Sequence, residues 1–210
     1  MMSTDHLVFI VDDDDRVREA LQELLAAAGL CSVPLGSATE YIACPKPDVP
    51  SCVILDVELP DINGLDLQRQ LGDRYHPPII FVTGHGDIPS SVRAMKAGAL
   101  DFLTKPFSDQ ELLRLVHAAL AQDRERRARQ ADLDRLSQRF QALTPREREV
   151  LPLVVSGLLN KQAAAHLGIS EVTLQIHRAN VMRKMEADSL ADLVRMAGSL
   201  DIPVAHSRHA

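Results

Sequence analysis

Aromatic residues make up 3 % of this 210-residue chain, which has no tryptophan, five phenylalanines and two tyrosines. Its cores must therefore be built from aliphatic side chains. The three cysteines, Cys31, Cys44 and Cys52, are odd in number and show no Cys-x-x-Cys spacing. That argues against a disulfide framework or a thiolate metal site and leaves them as small apolar side chains. No apolar run approaches the ~20 residues that span a bilayer, and the N-terminus lacks the basic-then-apolar order of a secretory signal. A cytoplasmic chain with no membrane partner is expected. Positive charge is scarce in the first part: residues 1–121 carry 9 Lys+Arg against 18 Asp+Glu, whereas 122–142 have a net charge of +2 and 143–200 of +1. Such a contrast suggests two domains with different partners.

What is present is organised around Cys52-Val53-Ile54-Leu55-Asp56, an apolar run ending abruptly in a carboxylate. A short run rich in Val, Ile and Leu reads as an inner strand of a parallel sheet covered on both faces. Leu7 to Val11 ends the same way and delivers Asp12 and Asp13. Ligands of open α/β sheets bind at the carboxyl edge, where the strand order reverses. Further strands are expected at Cys31–Leu35, Ile79–Thr83 and Asp101–Thr104, alternating with helices at Arg16–Ala28, Ser37–Cys44, Leu65–Leu71, Pro89–Ala97 and after Ser108. The alternation predicts a doubly wound five-stranded parallel sheet.

Three carboxylates that converge disfavour one another's ionisation, so a cation belongs among them. Mg²⁺, a hard ion that takes carboxylate, water and phosphate oxygens, fits. The competing reading makes Asp12 to Asp15 a solvated acidic turn capping the next helix. Thr83 and Lys105 each have a plain reading too, as a β-branched strand residue and a surface lysine. Yet polar groups fall at four of five strand ends, and together they meet the needs of phosphoryl transfer to a carboxylate. Asp56 is the nucleophile, Asp13 and Asp56 hold Mg²⁺, and Thr83 and Lys105 hold the remaining phosphoryl oxygens.

Val11-Asp12-Asp13, Leu55-Asp56, Val82-Thr83-Gly84 and Lys105-Pro106-Phe107, in this order, resemble the receiver domain of bacterial two-component response regulators over residues 7 to about 121. The resemblance implies that a sensor histidine kinase phosphorylates Asp56. It implies Mg²⁺ on Asp13, Asp56 and the backbone carbonyl of Glu58, with Asp12 acting through water. It also implies a cis bond at Lys105-Pro106 and an aromatic switch at Phe102, turning inward when Thr83 moves onto the phosphoryl group. Glu58 and His85 match positions that influence hydrolysis of the acyl phosphate in that family.

Ala121 to Gln141 contains no Gly or Pro and spaces Leu133, Leu136, Phe140 and Leu143 by three, four and three. This is either a seam for a partner helix or coiled coil, or a solvated linker helix held by local charge pairs. Beyond it, Thr144-Pro145-Arg146-Glu147 is a helix start with a capping box, and the helix runs to about Ser156. Asn160 is expected to cap a second helix to Leu167, Ser170 a third to about Met185, and Ser189 a fourth to Leu200. A short helix, a turn with Gly and a longer capped helix are the spacing of a helix-turn-helix.

Leu143-Thr144-Pro145-Arg146-Glu147, Gly157, Asn160-Lys161, Leu167-Gly168-Ile169-Ser170 and Thr173-Leu174-Gln175-Ile176-His177 are similar to the LuxR-type DNA-binding domain over 143 to about 200. A receiver joined to such a domain resembles the NarL/FixJ family of transcriptional response regulators. The implied organisation is a flavodoxin-like receiver at 1–121, a helical linker at 122–142, an all-α four-helix helix-turn-helix domain at 143–200 and a tail at 201–210. Implied partners are a sensor histidine kinase, promoter DNA, RNA polymerase, and a second copy of the chain when phosphorylated. Leu174, Val181 and Met185 of the third helix suit a core; Val172, Gln175, Ile176, Ala179 and Arg183 lie opposite. Lys161, Thr173, Arg178, Arg183 and Lys184 are candidates for phosphate contacts, and Gln175 with Ile176 and Ala179 for base contacts favouring A·T pairs. Two rivals remain at this point: a Mg²⁺-dependent phosphatase with an aspartyl intermediate, and a regulator whose helical half binds protein rather than DNA.

Overall fold

Alternate residues of a strand point to opposite faces, and here both faces are apolar, so each strand needs cover on both sides. A computed structural model describes residues 5–72, 76–84 and 88–203, and of residues 88–91 the backbone alone. His85 and the last seven residues of the tail lie outside the described residues. In chain order the elements are β1 (Leu7–Val11), α1 (Asp15–Ala27), β2 (Ser32–Leu35), α2 (Ala38–Ala43), β3 (Ser51–Asp56), α3 (Gly64–Leu71), β4 (Ile79–Thr83), α4 (Ile88–Lys96), β5 (Asp101–Thr104), α5 (Asp109–Gln141), α6 (Pro145–Val155), α7 (Asn160–Leu167), α8 (Glu171–Met185) and α9 (Leu190–Ser199).

The strands form one parallel sheet in the order β2-β1-β3-β4-β5. The order reverses between β1 and β3, where Val11 pairs with Leu55. Val8, Ile10, Cys52, Ile54, Ile80 and Val82 face Leu21 and Leu25 of α1 and Leu112, Leu115 and Val116 of α5. Phe9, Val11, Val53, Leu55, Ile79 and Phe81 face Tyr41 of α2, Leu65 and Leu67 of α3 and Ala94 of α4. Every residue of β3 is buried, as an inner strand requires.

The chain divides into two compact units between Arg127 and Ala128, inside α5. In the first unit the α5 carboxylate Asp123 is fully buried; it accepts the Ser51 amide at 2.9 Å and pairs with Arg127 at 2.7 Å. In the second, Leu143, Val150, Leu151, Leu174, Val181, Met185 and Leu193 form the core, and Leu136 and Phe140 of α5 pack against it. The spacing Leu133, Leu136, Phe140, Leu143 is therefore largely used up within the chain. Leu143 is buried and Leu133 is exposed, so the seam for a coiled-coil partner gives way to packing on the unit's own core.

Helix starts follow their polar signals, with one exception. Asp14, Ser37, Asn63, Thr144, Ser170 and Ser189 each accept a backbone N–H of the first turn. For α7 the expected cap Asn160 is instead the first helical residue, and Leu159 holds the cap position. The Gln162 side chain accepts the Leu159 amide at 3.0 Å, while Asn160 Oδ1 accepts from Arg178 at 3.0 Å. No helix among the described residues is long and apolar enough to cross a membrane.

Candidate phosphorylation site and nucleic-acid interface

β1 and β3 end side by side, so Asp12, Asp13 and Asp56 meet at the carboxyl edge, where one oxygen from each lies within 4.8 Å of the others. Asp12 and Asp56 are buried at 3 % and 7 % exposure, and Asp13 is exposed. The acidic run thus splits between its two readings: Asp12 and Asp13 join the cluster, while Asp14 caps α1 through the Arg16 amide at 2.9 Å.

Each buried carboxylate is oriented from two sides. Asp12 Oδ1 accepts the Asp14 amide at 3.0 Å and Asp56 Oδ1 accepts the Glu58 amide at 3.0 Å. Their Oδ2 atoms share the Lys105 ammonium, at 2.7 Å from Asp12 and 2.8 Å from Asp56. Burial raises the Asp12 pKa, and the nearby Asp56 charge adds to this; the Lys105 hydrogen bond opposes the rise without cancelling it. For Lys105 burial disfavours the ammonium, but hydrogen bonds to Asp12 and Asp56 outweigh it and hold the pKa above the ordinary lysine value. The Lys105-Pro106 peptide bond is cis, and Lys105 donates its own amide to the Thr83 carbonyl at 2.8 Å. Thr83 ends β4 fully buried. Phe102 is half-buried, with its ring 6.2 Å from that of Phe81.

Two residues outside the expected site set support this edge. Arg18, six residues beyond Asp12 on α1, donates to the Asp12 carbonyl at 2.5 Å and pairs with Asp15. Gly64, legible only as a turn marker, packs against the Asp56 backbone so closely that a Cβ there would lie 2.3 Å from the Asp56 carbonyl oxygen. The contacts of both with the site backbone depend on how the chain turns after β1 and β3, which the residue types alone do not show.

In the second unit α8 follows the α7–Gly168 turn, with Gly168 at φ +64°. Leu174, Val181 and Met185 are fully buried, whereas Val172, Gln175, Ile176, Ala179 and Arg183 are exposed. Lys161 is exposed and Arg178 half-buried against Asn160. Thr173 Oγ1 lies 2.7 Å from Ser170 Oγ at the start of α8. Lys184 points elsewhere: its ammonium bonds Glu147 Oε2 at 2.7 Å and the Ala142 carbonyl at 3.3 Å. Glu147 is itself buried, yet Lys184 and the Thr144 cap hold its pKa below the ordinary value against the effect of burial.

Comparison with known proteins agrees with this division. The model of the response regulator receiver domain matches residues 8–117, and that of the bacterial regulatory proteins of the luxR family matches 141–197. Nodulation protein W of Bradyrhizobium diazoefficiens is 52 % identical over 206 residues, covering 98 % of this chain and 91 % of that protein. Transcriptional regulatory protein FixJ of Azorhizobium caulinodans is 44 % identical over 191 residues, 90 % of each chain. The solved structure of response regulator StyR superposes with a TM-score of 0.82 at 45 % identity, covering 92 % of this chain and 98 % of that one. The chain belongs to the two-component response regulators, as a transcriptional regulator that joins a receiver domain to a LuxR-type DNA-binding domain.

Proposed function

We propose that Asp56 is the phospho-acceptor and that its phosphorylation by a sensor histidine kinase in the cytoplasm sets how tightly α8 grips promoter DNA. The observation that carries this reading is the shared ammonium: Lys105 bridges the two buried carboxylates Asp12 and Asp56 at the edge where the strand order reverses. An Asp56 Oδ attacks the phosphorus of a phosphoimidazole, the P–N bond breaks, and its electron pair returns to the imidazole. Lys105 and the Thr83 hydroxyl take phosphoryl oxygens, and the protein contributes mainly position and charge. The donor set fits Mg²⁺, since carboxylate oxygens within 4.8 Å of one another suit a small octahedral ion. Asp13, Asp56 and the Glu58 carbonyl would hold it directly and Asp12 through water. When bound it supplies positive charge to the phosphoryl oxygens.

Chemistry ends with phosphorylation and hydrolysis at Asp56, and the output is a change in DNA affinity. Movement of Thr83 onto the phosphoryl group, with Phe102 turning inward, biases the receiver towards the form that pairs as a homodimer, and a bias of a few kcal/mol suffices. On α8 the contacts fall to Gln175, Ile176 and Ala179 for bases and to Thr173, Arg178 and Arg183 for phosphates, with Lys161 of α7 as a further phosphate contact. Lys184 is held inside by Glu147, and we remove it from the phosphate set. The test is operator binding by full-length protein with and without beryllofluoride. Wild type should tighten on activation and Asp56→Asn should not; an equal response of both proteins refutes the assignment.

A further inference from the structure

The solvent face of α8 carries an anomaly. Val172 and Ile176 are 67 % and 57 % exposed, one turn apart on a helix whose other face is sealed into the core. Residues three and four apart share a helix face, so Val172, Gln175, Ile176 and Ala179 form a single stripe with one amide among three apolar side chains. Scattered exposed apolar residues are ordinary, but a stripe on the helix that is to enter a groove is placed where base edges are read.

We infer that this stripe recognises thymine methyl groups, with Gln175 pairing to an adjacent adenine, so that Val172 and Ile176 set the operator's sequence rather than its affinity alone. The inference rests on α8 being the groove-entering helix. In the major groove a thymine presents a methyl group and an adenine presents N7 and N6, to which Gln bonds bidentately. G·C pairs present only polar edges there, and covering these with Val and Ile strands them without partners. A protein partner fits the stripe less well, because a stable interface takes about 800 Å² per side around aromatic or arginine anchors. This stripe has no aromatic residue. The same helix carries Arg178 and Arg183, which suit phosphates.

The test uses full-length protein activated with beryllofluoride and Mg²⁺, and a duplex that it selects from a random pool. Each dT of the selected site is replaced in turn by dU, which removes only the C5 methyl. Affinity should fall about fourfold at one or two positions per half-site, the ratio that burying one methyl-sized group supports. Ile176→Ala and Val172→Ala should each lose the dT over dU preference at one position, and Ile176→Val should keep most of it. Both side chains are exposed, so an unchanged melting temperature checks that the variants are folded. Binding that ignores dU everywhere, or Ala variants that keep full discrimination, overturns the inference while leaving α8 as the DNA-binding helix. Failure to enrich any sequence overturns both.

Discussion

Replacing Lys105 by Met isolates the electrostatics of the receiver edge. The Lys105 side chain is 24 % exposed, while the Asp12 and Asp56 side chains it bridges are 4 % and 8 % exposed. Breaking a fully buried pair costs about 3–5 kcal/mol, because the remaining charge is stranded; the partial opening at the lysine reduces the expectation to about 2–3 kcal/mol. The pH dependence gives the sharper signature. Asp12 has a raised pKa in the folded state even with Lys105 present. A carboxyl with a raised folded pKa gives stability that is complete below the unfolded value, 3.8, and is lost as pH rises through the folded value. Losing the lysine raises Asp12 further, so the variant suffers most near neutrality and recovers towards pH 4. Lys105 itself has a raised pKa, so its stabilisation is complete below 10.5 and is lost as pH rises through the folded value. The stability gap between the two proteins should therefore form a plateau that falls at both ends. Mg²⁺ should narrow it as well, because carboxylates freed of the lysine bind the ion more tightly, and at saturating ion each tenfold gain in affinity adds about 1.4 kcal/mol to the variant. With no tryptophan in the chain and both tyrosines, Tyr41 and Tyr75, within the sequence of residues 1–127, tyrosine fluorescence during urea unfolding follows the receiver half. A gap of the same size at pH 4.5 and 7.5, unmoved by Mg²⁺, would refute the reasoning.

Other substitutions probe separate links. Gly64→Ala places a Cβ 2.3 Å from the Asp56 carbonyl oxygen and 3.2 Å from Val57 Cα, so backbone must shift. We expect a loss of about 3 kcal/mol in urea unfolding and slower phosphorylation from acetyl phosphate. Gly84→Ala meets nothing within 4 Å and should be neutral or stabilise by up to about 1 kcal/mol; equal effects of the two alanines would show that close packing at Asp56 is unimportant. Glu147→Gln keeps the shape of the α6 cap but removes the partner of Lys184, so the second unit should lose about 1 kcal/mol at pH 7. Because the Glu147 pKa is depressed, its stabilisation is present above 4.5 and lost as pH falls through the lower folded value; melting followed by helical circular dichroism at a series of pH values should show wild type and variant converging only below that folded value. With Lys161, Arg178 and Arg183 as the phosphate-binding cations, the slope of log affinity against log salt should be near −5 for a dimer, at ~0.9 per contact. A slope that Lys184→Met reduces would put that lysine back on the DNA.

The sheet was legible because a parallel strand buried on both faces leaves a nearly pure aliphatic run, as in Cys52 to Leu55, and because polar groups ending such runs have few local reasons to be there. Asp12 and Asp14 show where legibility stopped. Four consecutive aspartates look alike in sequence; what separates them is the direction in which β1 ends, which buries the first and turns the third to the Arg16 amide. At α7 a residue type that favours caps was overridden: the Asn160 side chain is held by Arg178, a partner eighteen positions away, and Leu159 takes the cap position, its own amide donated to Gln162. The Leu133 to Leu143 spacing was a correct sign of an apolar face, but periodicity says that a face is covered and never by what. Here the cover is the chain's own core.

Cations gave the least legible signal, and the reason bears on function. A lysine or arginine on a helix in sequence is only a charge on a long stem, free to reach solvent, a carboxylate or a phosphate. Lys184 and Arg183 are neighbours on α8 with the same local context. One reaches inward to a buried glutamate, and the other stays exposed. The buried Glu147 decides this, because an unpaired carboxylate at 3 % exposure would cost more than a surface lysine gains anywhere else. The α6 cap thus takes one cation from α8, leaving a face with few cations and exposed aliphatic groups. On the proposed reading the cations left on this face serve phosphates, which are blind to sequence, and discrimination between sequences falls to shape and methyl contacts.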